Sequence, residues 1–110
     1  MDFTGYQRLM NCTKWDEIWQ TMSDFPEKNL WRTKDIEKGY ISLWDGEWFH
    51  HFKLDGDYKT IEWLEISFDN EEIKNQLLKI LQEIRVPGEI LSNSIKVYGY
   101  AKIGTFVDYL

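Results

Sequence analysis

The chain has 110 residues, 43% of them hydrophobic and 16% aromatic, with six tryptophans and a formal net charge of −6, which suffices for one domain (1–110) and excludes two. The negative excess is local: residues 45–72 hold nine acids against Lys53 and Lys59, and such a field repels phosphate backbones and excludes direct nucleic-acid binding. No basic region followed by an apolar run opens the chain, and no apolar stretch nears the roughly 18 residues of a membrane span, so a cytoplasmic protein without a membrane role is expected.

The first element is TKWDEIWQTMSDF, residues 13–25. Trp15, Ile18, Trp19, Met22 and Phe25 form one helical stripe. Thr13 caps the helix in this reading, and Pro26 stops it. From Leu30 onward the period falls toward two. LWRTKDIE (30–37) reads as an edge strand, and YISLW (40–44) as the next, after Lys38-Gly39. Asp45-Gly46 then predicts a type I′ turn into EWFHHFKL (47–54). YKTIEWLEI (58–66) carries apolar residues on both faces and is expected to be central.

Asp69-x-x-Glu72 resembles a capping box opening a second helix. Ile73, Leu77, Ile80, Leu81 and Ile84 form its buried stripe, and Val86-Pro87-Gly88 ends it. EILS (89–92) and IKVYGYAKI (95–103) close the chain as a hairpin. The expected fold is α+β in the order α-β-β-β-β-α-β-β. It has a single antiparallel sheet of about five to six strands, with two helices on one face.

A regular hairpin at Asp45-Gly46 sends His50 and His51 to opposite faces, so the pair is not a metal site. The sequence has no Gly-rich phosphate loop, CxxC, HExxH or EF-hand pattern. The single Cys12 forms no internal disulfide and has no nucleophile motif around it. No cofactor is expected.

Several fragments together resemble a family of small bacterial domains of unknown function. They are NCTKW (11–15), WDGEWFHHF (44–52), YKTIEWLEI (58–66), VPGE (86–89) and VYGYA (97–101). The resemblance implies a bacterial intracellular domain and brings no site residues with it.

The expected function is non-enzymatic protein binding through an acidic, aromatic-rich surface formed by Trp44, Asp45, Glu47, Phe49, Asp55, Asp57 and Tyr58. The partner is expected to be a protein with a basic surface. By analogy with small acidic bacterial proteins, the concrete form is an immunity protein that neutralises a toxin. Two alternatives stand beside it. One is a small hydrolase using His50 as base with Glu62 as its orienting group. The other is an acidic mimic of nucleic acid that blocks a DNA-binding protein.

Overall fold

A computed structural model describes residues 5–26, 29–48 and 58–110. Its elements, in chain order, are β1 (Tyr6–Arg8), α1 (Cys12–Asp24), β2 (Trp31–Asp35), β3 (Ile61–Ser67), α2 (Glu71–Ile84), β4 (Gly88–Ile90), β5 (Ser94–Tyr98) and β6 (Tyr100–Lys102). The fold is α+β, but the strands do not form the single expected sheet. Among the described residues they form two: a four-stranded antiparallel sheet ordered β2-β3-β5-β4, and a separate pair, β1-β6.

The split occurs at Gly99. The stretch 95–103, expected as one strand, breaks there into β5 and β6. Gly99 N–H donates to Glu62 O at 2.7 Å, and Gly99 O accepts from Leu9 N–H at 2.9 Å. One residue thus ties the larger sheet to the segment that follows β1. A β-carbon at Gly99 would sit 2.2 Å from Ile61 O, a contact that only glycine avoids.

Both helices cover one face of the larger sheet. Trp15, Ile18 and Met22 of α1 and Leu77 and Leu81 of α2 share a core with Leu64, Ile66, Ile95 and Val97. Burying each aliphatic side chain contributes on the order of 1.5–3 kcal/mol. The caps differ from expectation by one or two residues. Asn11, not Thr13, caps α1, its side chain accepting from Lys14 N–H; Asn70, not Asp69, caps α2, accepting from Ile73 N–H. α2 ends at Arg85, whose left-handed backbone (φ 65°) fills a position usually given to glycine. Lys14 Nζ donates to Arg85 O at 2.7 Å, linking the end of α2 to α1.

Among the described residues, Asp45-Gly46 does not make the expected type I′ hairpin turn. Neither residue has the positive φ that a type I′ turn demands. Asp45 instead exchanges both backbone hydrogen bonds with Trp31 (2.8 and 2.9 Å), and Ile41 bridges Lys34. The reversal lies earlier, at Gly39 (φ 69°), whose N–H donates to Asp35 O. Residues 41–45 therefore run along the outer edge of β2. At the opposite edge Tyr109 bridges Pro87. Trp48 is not in a strand: its ring lies 5.4 Å from that of Trp31, and its Nε1 donates to Asn29 O. The rest of the expected 47–54 strand lies outside the described residues.

Candidate functional site

The sheet face turned away from the helices gathers charges and rings. Strand side chains alternate between faces, and the register places Arg32, Glu65, Lys96 and Glu89 in one row across β2, β3, β5 and β4. The signs alternate along the row. Arg32 Nε donates to Glu65 Oε1 at 2.9 Å, and Ser94 Oγ donates to Oε2 at 2.5 Å. Glu65 is buried, and burial alone would raise its pKa. The hydrogen bonds from Ser94 and Arg32, with the positive charges of Arg32 and Lys96, outweigh burial and hold the carboxyl below the ordinary glutamate value.

The next row is Lys34, Trp63 and Tyr98. Lys96 Nζ lies 4.2 Å from the Trp63 ring centroid, and the Arg32 guanidinium carbon lies 6.0 Å from it. The same guanidinium is 4.5 Å from the ring of Trp44. Trp44, Arg32, Trp63 and Lys96 thus alternate ring and cation, each contact worth about 0.5–2 kcal/mol. Lys34 Nζ pairs with Glu62 Oε2 at 3.5 Å. Tyr98 Oη donates to Glu89 Oε1 at 2.8 Å, and burial, followed by this bond and the glutamate charge, pushes the phenol up to about 12.

Composition overstates the acidic field. Of the acids in 45–72, Glu62 and Glu65 are neutralised within the sheet, and Glu71 is paired with Lys74. Beside this face, the edge segment carries four large apolar side chains in five residues. Tyr40 is 63% exposed, Ile41 44%, Leu43 84% and Trp44 40%.

Of the residues expected at the partner surface, Trp44, Asp45 and Glu47 lie together and Tyr58 lies apart from them. Trp44 is exposed and stacked on Arg32. Asp45 and Glu47 are half-buried, Asp45 Oδ1 accepting from Glu47 N–H at 2.8 Å. Tyr58 is not on the surface at all: it is 2% exposed, and its Oη donates to Asp16 Oδ1 at 2.7 Å. Burial, then the bond to Asp16, raises its pKa well above the ordinary tyrosine value. Phe49, Asp55 and Asp57 lie outside the described residues, as do His50 and His51. Glu62, the other half of the hydrolase reading, is engaged by Lys34.

Among the described residues, no group of three or more His, Cys, Asp or Glu could hold a metal, and no helix is long and apolar enough to cross a membrane. Sequence reasoning missed Arg32, Trp63 and Lys96 as a unit. It also missed Tyr40, Ile41 and Leu43 as a surface, although the adjacency of these residues to Trp44 was a usable signal.

No curated protein and no solved structure matches the chain. One family model matches residues 4–104, nearly the whole length, and the chain belongs to that family, described as a family of unknown function (DUF6678).

Proposed function

We propose that the chain is a non-enzymatic protein-binding module whose contact surface is the edge segment Tyr40–Trp44, flanked by Asp45 and Glu47. The observation that carries this reading is the exposure of four large apolar side chains along one sheet edge. Sheet edges left open to solvent are ordinarily blunted by charge or proline, and contiguous exposed apolar surface marks interaction sites. Residues 40–44 contain no charge and no proline. Trp44 is already stacked on Arg32, so it sacrifices little side-chain freedom when a partner covers it. The concrete form of the proposal is an inhibitor of a protein with a basic surface, such as a toxin in the cytoplasm of a bacterium, with Asp45 and Glu47 raising the rate of encounter.

The test is capture from the native host by tagged wild type, followed by affinity measurement on the captured protein. Trp44→Ala weakens binding by about 2 kcal/mol, roughly thirtyfold, whereas Glu47→Ala costs under about 1 kcal/mol. Leu43→Ser, at a position already 84% exposed, weakens binding while leaving the melting temperature unchanged. Equal affinity for wild type, Leu43→Ser and Trp44→Ala would remove this segment from the interface.

A further inference from the structure

Toward the β4 end of the larger sheet, a cleft of about 390 Å³ opens between that sheet, the β1-β6 pair and residues 105–108. Its volume falls in the range of small-molecule sites, about 300–1,000 Å³. Four rings line it: Tyr6, Tyr98, Tyr100 and Phe106. Three carboxylates, Glu62, Glu89 and Asp108, share the lining with a single ammonium, that of Lys102.

Tyr98 spends its hydroxyl proton on Glu89, and Tyr100 donates its own to Lys59 O at 2.7 Å. Tyr98 and Tyr100 are therefore committed as donors and their rings are held in place, while Tyr6 and Thr105 bring two further hydroxyls. Glu89 and Asp108 have no ion pair among the described residues. The cleft thus offers ring surfaces and two carboxylates without an ion pair, against one ammonium. An anion would meet net negative charge. A small hard metal ion would be suited by a close cage of oxygens, and the aromatic walls would add nothing to it.

We propose that this cleft binds an organic cation, a guanidinium or alkylated ammonium group, with its charge toward Glu89 and Asp108 and its carbon or planar surface on the rings. Ring faces attract such cations electrostatically, and more strongly once water is excluded. Lys102 opposes the bound charge from the rim. The cation is supplied either by a side chain of a protein or by a free small amine. This inference is independent of the edge segment, which lies on other elements.

The experiment is a titration of the isotope-labelled full chain, followed by amide chemical shifts. The probes are Nα-acetyl-arginine amide, choline and the neutral isostere Nα-acetyl-citrulline amide. At least one cationic probe gives saturable shifts centred on Gly88, Ala101 and Val107, and the neutral one does not. Saturation by the arginine probe alone identifies a peptide side chain as the source, and saturation by choline alone identifies a free quaternary amine. Glu89→Gln and Asp108→Asn each weaken the bound probe about tenfold, the scale of one hydrogen bond to a charged group, with unchanged circular dichroism. Lys102→Ala tightens it. Absence of saturation by either cation, equal binding of the neutral isostere, or weaker binding in Lys102→Ala overturns the proposal.

Discussion

Replacing Gly99 with alanine destabilises the protein by about 3 kcal/mol, at the upper end of what overpacking costs. The new β-carbon meets Ile61 O at 2.2 Å and Trp15 Cζ2 at 3.1 Å, so backbone, not only a side chain, must move. That backbone is pinned on both sides, because Gly99 holds Glu62 through its N–H and Leu9 through its carbonyl. Relief would pull β3 from its neighbour or lift the β1-β6 pair away. The expected readout is a lower urea midpoint with an unchanged slope, and a melting temperature down by roughly 10–15 °C. Gly46→Ala is the control. Among the described residues its β-carbon meets only Leu30 Cδ2, at an ordinary 3.6 Å, and its φ is not positive, so the change stays within about 0.5 kcal/mol. A neutral Gly99→Ala would mean that the two sheets are not joined through this residue.

Arg32→Ala costs between about 2 and 3 kcal/mol. Among the described residues it leaves the buried Glu65 carboxylate with Ser94 as its remaining hydrogen-bond donor, and it releases the rings of Trp44 and Trp63 from their shared cation. The loss is below that of a fully buried pair because the Arg32 side chain is itself 33% exposed. Arg32→Lys recovers only part, since an ammonium does not reproduce the planar stack. The pH dependence has a definite sign. The Glu65 pKa is lower folded than unfolded, so over that interval the unfolded chain binds more protons and stability rises with pH. The contribution is complete above the ordinary value of 4.5 and is lost as pH falls through the depressed folded value. In Arg32→Ala this interval narrows. Urea midpoints measured from about pH 3 to about pH 6 therefore depend less on pH for Glu65 in the variant than in wild type. Parallel curves would show that Arg32 does not hold the carboxylate.

What could be read from the sequence followed the range of the interactions. α1 and α2 announce themselves through Trp15, Ile18 and Met22 and through Leu77 and Leu81, because helical packing repeats locally. The central place of β3 is likewise written in the two-faced pattern of IEWLEI. The Asp45-Gly46 signal misled because an aspartate before glycine serves two geometries. Here its side chain accepts from Glu47 N–H, an Asx turn, while its backbone pairs with Trp31. The β1-β6 pair joins Tyr6 to Lys102, and three-residue strands that far apart leave no periodic trace. Gly99, a glycine inside a strand pattern, is a usable sign of the break that the reading of 95–103 as one strand passes over. The row of Trp44, Arg32, Trp63 and Lys96 draws on four segments and exists only once register is known. The same holds for Tyr58, whose ring reads as a surface aromatic until the fold carries it to Asp16.

Docking of another protein on residues 40–44 is tested most directly by a photoreactive phenylalanine analogue installed in place of Leu43 and irradiated in the native host. One dominant protein adduct is predicted, lost when Trp44→Ala is added and not seen when the analogue replaces the exposed Lys79 on α2. An adduct pattern indifferent to Trp44→Ala, or the same from both positions, would rule out docking on this segment.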